Sequence, residues 1–392
     1  MAKYAHRQLE KQVAAAARGF PALVLTGPRR SGKTTLLRRL FPAATYVLAE
    51  DPDVVARLRA DPQGFLDAIK TPAILDEVQN VPEVFAFVRA RIDRAPRKLG
   101  QWLLTGSQEA PLMRNVSESM AGRAAILQLL PLSAAESDKV SPFRGGYPEV
   151  LARPSAARLW FSSYVQTYLE RDVRQVLNVH DLSVFRRFMA LVASRHGQVL
   201  NKTDLAAPLG VSIPTITQWL AVLETTLQIA LVPPYFENLG KRLIKSPKLY
   251  LLDSGLVCHL LGIESNAELQ RSVLGGAVFE GFIASEIIKS QLHAGRRREL
   301  YYFRDQQGLE VDFVVPGKSG AVHLIEAKAG ATVRPEMAAP MLKLAQAFRR
   351  RPRPARVDMT IVHGVSTHAS HALASVAKGV RAEAWPSWAR GL

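Results

Sequence analysis

Residues Gly27-Pro28-Arg29-Arg30-Ser31-Gly32-Lys33-Thr34 carry the spacing G-x-x-x-x-G-K-[ST]. Between a strand and a helix, that spacing wraps backbone N–H groups around phosphates and adds the positive helix end. The apolar run Ala22 to Leu25 precedes it and an amphipathic segment follows, so the context is met. Gly27 to Thr35 are therefore the expected phosphate cradle for ATP. Lys33 would reach the β and γ phosphates, and the Thr34 hydroxyl would ligate Mg²⁺. A second chemical pattern lies far downstream, in "VHLIEAKAG" at 322–330. Strand side chains alternate, so Glu326 and Lys328 share a face. An isolated pair of this kind is ordinarily a surface salt bridge.

Two more segments suit nucleotide chemistry. "PAILDEVQN" is an apolar strand, Ala73 to Leu75, ending in Asp76-Glu77. Continuous apolar runs suit central parallel strands, and ligands bind at the carboxyl ends of such strands. Asp76 is the expected partner of the Mg²⁺ shell, and Glu77 is placed to orient or activate a water. "QWLLTGSQEA" gives a third strand, whose Ser107 is the candidate sensor of the γ-phosphate, with Thr105 close behind. Arg123 precedes an apolar strand, Ala124 to Leu130, and is a candidate finger on a neighbour's nucleotide; that role requires a homo-oligomer.

"GPRRSGKTTLL", "AILDEVQNVPEVF", "LLTGSQ", "SMAGRAAILQLLPLS", "GGYPEVL" and "YVQTYLERDVRQV" together resemble a prokaryotic AAA-type ATPase family. Its members carry a C-terminal region of unknown function. The resemblance runs from about Phe20 to about Lys328, and it implies an ATPase core joined to DNA-related modules.

The middle of the chain reads as a winged helix-turn-helix. Thr203 to Ala207 makes a short helix, Gly210 a tight turn, and Ser212 caps a helix from Ile213 to Thr226 with Pro214 in its first turn. "QIALVPPYFENLGKRLIKSPKLYLLD" then reads as a two-stranded wing. In such a domain the start of the second helix meets the major groove. Thr215, Thr217 and Gln218 are the expected groove contacts, and Lys241, Arg242 and Lys245 the expected phosphate contacts. Winged helices also serve as protein–protein spacers.

The last third brings "VHLIEAKAG" into a larger set. A helix from Gly275 carries Glu280. A strand from Leu300 to Phe303, a strand from Val311 to Val315 with Asp312, and a strand from Ala321 to Lys328 follow. This order resembles the restriction-endonuclease-like core, PD-(D/E)-x-K, without the proline before Asp312. The resemblance implies that Asp312 and Glu326 hold Mg²⁺ or Mn²⁺ in a hard oxygen site. Lys328 would orient a water, and Glu280 would complete the outer shell of the metal. Arg296, Arg297 and Arg298 offer phosphate contacts.

The chain has 392 residues and a formal net charge of +17, which suits a phosphate-rich partner. Its single cysteine, Cys258, excludes a disulfide framework. No apolar stretch reaches membrane-spanning length, and the N-terminus reads as a helix rather than a signal peptide, so no membrane partner and a cytoplasmic location are expected. The expected architecture is multidomain α/β. It has a P-loop AAA-type core at 1–140, a helical connector at 141–182, a winged helix at 183–262 and a restriction-endonuclease-like domain at 263–392. The expected activity is ATP hydrolysis coupled to processing of double-stranded or branched DNA, with Mg²⁺-dependent cleavage. The alternatives are a DNA-binding ATPase that does not cleave, and a signalling ATPase acting on protein partners.

Overall fold

Apolar runs of four to six residues between turn signals become strands covered on both faces. The computed structural model describes residues 4–107, 119–169, 182–235, 245–350, 355–365 and 375–392. In its first third, β1 (Ala22–Gly27), β2 (Thr45–Leu48), β3 (Ala73–Asp76), β4 (Trp102–Ser107) and β5 (Ala124–Gln128) form a parallel sheet ordered β2-β3-β4-β1-β5. β1 and β4 are buried along their whole length. Alternate residues of β1 feed two cores. Leu23 and Leu25 pack with Val13 and Leu36 of the helices Glu10–Gly19 and Lys33–Leu40. Ala22 and Val24 pack on the other face with Val84, Phe85 and Val88 of the helix Val84–Arg94. The order sets the carboxyl ends of β1, β3 and β4 side by side. The strand expected to reach Leu130 ends at Gln128, and the Leu129 N–H bonds the Thr26 carbonyl instead. Leu129 crosses tightly over Gly27, where an added Cβ would lie 2.2 Å from the Leu129 carbonyl oxygen. With φ at 147°, that position requires glycine.

In the middle, the helices Leu182–Ser194, Lys202–Ala206 and Ile213–Thr225 bury Phe185, Phe188 and Trp219 against one another. Gly210 turns with φ at 66°, and the Ser212 hydroxyl accepts the Thr215 N–H at 3.2 Å, as the sequence pattern requires. β6 (Ile229–Val232) and β7 (Lys248–Leu251) pair as an antiparallel ribbon. This ribbon does not stand free. Ala230, Val232 and Tyr250 pack with Phe279, Phe282 and Ile283 of the helix Gly275–His293. The Tyr235 N–H bonds the Tyr302 carbonyl at 2.7 Å, and the Tyr302 N–H bonds the Pro233 carbonyl at 3.2 Å.

The last third holds a mixed sheet of β8 (Tyr301–Arg304), β9 (Glu310–Pro316), β10 (Val322–Lys328), β11 (Val357–His363), β12 (Ser375–Ala377) and β13 (Val380–Ala384). Its order is β12-β13-β11-β10-β9-β8. β8, β9 and β10 are antiparallel, and β10 is parallel to β11, as β11 is to β13. Helix, strand, strand with Asp312 and strand with Glu326 follow in the expected order. β11 to β13 extend the sheet beyond the sequence-based assignment. Among the described residues no single helix is long and apolar enough to cross a membrane.

His196 joins the middle to the last third. Its Nδ1 accepts the Leu251 N–H at 3.0 Å, and Gly281 on the long helix leaves room for the ring, since a Cβ there would lie 1.7 Å from Nε2. Full burial pushes the His196 pKa down to about 3. The neutral ring belongs to the folded state, whereas the unfolded chain takes up a proton near pH 6.5. Stability is therefore intact above pH 6.5 and falls toward pH 3, by about 1.4 kcal/mol per pH unit from this group. Denaturation midpoints between pH 7 and pH 4 test this, with His196→Gln expected to flatten the slope by about that amount.

Candidate functional site

The phosphate loop, β2 and the end of β3 line a cleft of about 400 Å³ whose walls include Arg29, Arg30, Gly32, Lys33, Thr34, Thr35, Asp76 and Glu77. Gly32 takes φ 100° and Arg30 φ 62°, which turns successive backbone groups into the loop. Lys33 is 4% exposed, and its ammonium donates to the carbonyls of Gly27 at 3.1 Å and Pro28 at 2.9 Å. The Ser31 hydroxyl is buried in the loop without a hydrogen-bond partner among the described residues. A cradle with an inward cation and an orphaned hydroxyl fits a polyphosphate.

Asp76, 2% exposed, gathers three hydroxyls. Thr34 donates at 2.8 Å, Tyr46 at 2.7 Å, and Thr105 donates to the other carboxylate oxygen. Burial and the bond to Asp76 push the Tyr46 phenol pKa up. Glu77 follows in a left-handed backbone, φ 58°, of the kind that collects at functional sites. Gln79 donates to the Glu77 carboxylate at 2.5 Å, and its amide oxygen accepts the Ser107 N–H at 3.2 Å. The Ser107 hydroxyl is buried and has no partner among the described residues. Arg123 is set apart from all of these. The Ala22 N–H bonds its carbonyl, so it lies at the opposite end of β1 from the loop, with its guanidinium on Asp93 at 2.6 Å.

A second constellation forms where the long helix, β7, β9 and β10 meet. Phe313 pairs with Ile325, so Asp312 and Glu326 lie across from one another on one face. The Ala327 N–H bonds Asp312 at 2.9 Å, and Lys328 donates to Glu326 at 2.7 Å. Burial, with Glu280 and Glu326 nearby, raises the Asp312 pKa well above the usual carboxylate range. Burial raises that of Glu326 as well, against the opposing charge of Lys328. Lys248 of β7 enters this set with a side chain 3% exposed. Its ammonium lies 2.9 Å from Glu280, 2.7 Å from Glu310 and 4.0 Å from Asp312. Tyr250 donates to Glu280 at 2.5 Å.

A family model described as an AAA domain matches residues 19–137, and models described as domains of unknown function, DUF8612 and DUF4143, match 141–267 and 275–371. Uncharacterized protein Rv2008c of Mycobacterium tuberculosis is 35% identical over 304 residues, which span 75% of this chain and 67% of that protein. Uncharacterized protein Mb2031c of Mycobacterium bovis matches to the same extent. The chain belongs to the family of these two proteins. Its first third is an AAA-type P-loop ATPase domain. Among solved structures, the Walker-type ATPase PabY2304 of Pyrococcus abyssi matches with TM-score 0.39 and 14% identity, covering 64% of this chain and 94% of its own. AMPPCP-bound DnaA from Aquifex aeolicus matches with TM-score 0.28 and 13% identity, covering 55% of this chain and 85% of its own. Likeness at these scores carries no argument about this chain.

In this AAA-type chain, the geometry departs from the sequence-based expectations at several residues. The expected metal pair Asp312 and Glu326 does come together with Lys328 and Glu280. The donor chemistry, hard oxygens, fits a divalent cation of the Mg²⁺ class, which one or two carboxylates can hold together with water. Among the described residues no three His, Cys, Asp or Glu side chains are set to hold a metal ion. Glu280, expected in an outer metal shell, accepts from Lys248 and Tyr250. Of the expected groove contacts, Thr217 and Gln218 are exposed, the Thr217 hydroxyl donating to the Ile213 carbonyl at 3.0 Å, whereas Thr215 is half-buried at the Ser212 cap. Lys245 is exposed, whereas Lys241 and Arg242 lie outside the described residues.

Sequence reasoning missed Tyr46, Gln79, Lys248 and Arg7. Arg7 is 6% exposed and donates to the Ser31 carbonyl of the phosphate loop at 2.9 Å and to the Leu130 carbonyl at 2.6 Å. It forms an ion pair with Glu136 at 3.1 Å. Glu136 also accepts the Gln8 N–H at 2.8 Å and the Ser133 N–H at 2.9 Å. His293, the last residue of the long helix, accepts the Leu130 N–H on Nε2 and turns Nδ1 toward Glu136 at 3.3 Å. A ring that accepts on Nε2 is neutral and carries its proton on Nδ1. Burial, which lowers the His293 pKa, agrees with that form. These contacts tie the phosphate loop to the C-terminal third, and no local motif announces them.

Proposed function

We propose that the protein is an ATP-hydrolysing switch that acts on DNA. The observation carrying this reading is the direct bond from Thr34 to Asp76, with Glu77 next in the chain at the mouth of the cleft. In this reading the backbone of Gly27, Pro28, Arg29, Arg30, Ser31, Gly32, Lys33, Thr34 and Thr35 cradles the phosphates. Thr34 and Asp76 would hold the Mg²⁺ that accompanies ATP, which offsets phosphate charge when bound. Glu77, positioned by Gln79, orients the attacking water. Thr105 and Ser107 line the end of β4 as sensors. Arg123, remote from its own loop, serves the nucleotide of a neighbouring copy in a homo-oligomer.

DNA enters through charge. The net charge of +17 and the exposed Gln218, Lys245, Arg296 and Arg297 support it. A second reading, DNA cleavage by a restriction-endonuclease-like domain, is favoured by the shared face of Asp312, Glu326 and Lys328. One experiment addresses both: binding of end-labelled linear and branched DNA by the full chain across a salt series, with Mg²⁺ present. The DNA reading predicts a log–log slope of roughly −0.9 per phosphate neutralised. Weak, salt-insensitive binding would point to protein partners instead. Shortened DNA, lost in Asp312→Ala and Glu326→Ala, would support the second reading; intact DNA throughout would end it.

A further inference from the structure

The C-terminal acidic set raises a question that its acids alone do not answer. Glu280, Glu310, Asp312 and Glu326 come from a helix and two strands, and Asp312 and Glu326 are buried. Buried carboxylates in such proximity require positive charge. Lys328 supplies one ammonium at the rim, where its side chain is about one-third exposed. The other comes from outside the sheet. Lys248 stands on the β6–β7 ribbon, 32 residues before Glu280 and in a different part of the fold.

The Lys248 ammonium sits where a shared cation would sit. It touches Glu280 and Glu310 at hydrogen-bond distance and faces Asp312 at 4.0 Å, and the ring of Tyr302 lies 5.5 Å away on another side. Divalent ions of the Mg²⁺ class need oxygens at about 2.0–2.2 Å with near-octahedral geometry. An ammonium hydrogen-bonded to Glu280 and Glu310 and facing Asp312 puts its charge where a divalent ion on Asp312 would sit, while Lys328 engages Glu326. Asp312 is also engaged by the Ala327 N–H.

We propose that Lys248 is the resident cation of this site, standing in for a divalent metal and pinning the ribbon to the sheet. A divalent cation and the Lys248 ammonium are then alternative occupants, and the site takes no metal while Lys248 is in place. The proposal concerns occupancy, and metal-dependent DNA cleavage by the wild type that is lost in Asp312→Ala and Glu326→Ala would overturn it.

The test uses the full chain without nucleotide and Mn²⁺ as the probe, read by the electron paramagnetic resonance of free Mn²⁺ and by melting temperature. In the wild type, Asp312→Asn should leave Mn²⁺ binding unchanged, because the phosphate loop and surface sites are untouched. Lys248→Met should gain Mn²⁺ binding tighter by roughly tenfold or more, with a Mn²⁺-dependent rise in melting temperature, and adding Asp312→Asn should remove both. Lys248→Gln, which retains a donor for Glu280, should gain binding in the same direction, and Lys248→Arg should behave as wild type. Mn²⁺ binding by the wild type that is lost in Asp312→Asn would overturn the proposal, because metal would then coexist with Lys248. So would the absence of any gain in folded Lys248→Met or Lys248→Gln. DNA cleavage is a separate readout: metal uptake by Lys248→Met without cleavage would uphold this proposal and count against the nuclease reading.

Discussion

Replacing Glu77 by glutamine is expected to slow phosphate release from ATP by about 10²–10⁴-fold while ATP still binds. The carboxylate lies at the mouth of the cleft, one residue beyond the Asp76 that meets Thr34. It is held by Gln79, whose amide spans from Glu77 to the Ser107 N–H. Glutamine preserves the shape and the contact with Gln79 but cannot accept a proton from water. The phosphate-binding groups lie on another element, so affinity for a fluorescent ATP analogue should stay within a few-fold. Loss of rate together with loss of binding would mean that Glu77 supports the cleft rather than the water. Gln79→Ala should produce a smaller loss of rate, because it loosens the carboxylate without removing it.

The second large effect is on stability. Glu136→Gln is expected to cost about 3–5 kcal/mol, the usual result of leaving one member of a buried ion pair without its partner. Arg7 is the member stranded, with its guanidinium enclosed between the phosphate loop and Leu130. Burial alone would raise the Glu136 pKa, but the charge of Arg7 and the contact with His293 outweigh it and hold the carboxyl well below its ordinary range. The sign follows. A depressed carboxylate stabilises the fold above its unfolded pKa of about 4.3, and that contribution is lost as pH falls through the lower folded value. Urea midpoints at pH 7 and pH 3 should therefore differ much less in Glu136→Gln than in the wild type. An unchanged midpoint at pH 7 would show that Arg7 finds water when Glu136 is gone.

The two constellations were legible to different degrees, for a physical reason. The phosphate cradle is written in eight consecutive residues, and Asp76 ends an apolar run, so local spacing carries both. Asp312 and Glu326 could be paired because strand alternation fixes which side chains share a face. The Ile213–Thr225 helix was legible from Ser212 and Pro214, which act within one turn. Lys248 had no such signal. In "SPKLYLL" it reads as one more basic residue of a wing, and only the packing of the ribbon on the long helix turns it inward. Tyr46 reaches Asp76 across 30 residues, and Arg7 reaches Leu130 across 123. Contacts of that span depend on how whole elements stack, which no local periodicity encodes.

Phosphate release from ATP by the full chain, measured with Mg²⁺ for the wild type and for Lys33→Ala, tests the central claim most directly. The account predicts sustained turnover by the wild type and background rates for Lys33→Ala, since that ammonium lies buried against the Gly27 and Pro28 carbonyls of the phosphate loop. Equal rates in the two proteins, or no turnover by the wild type with or without DNA, would contradict it.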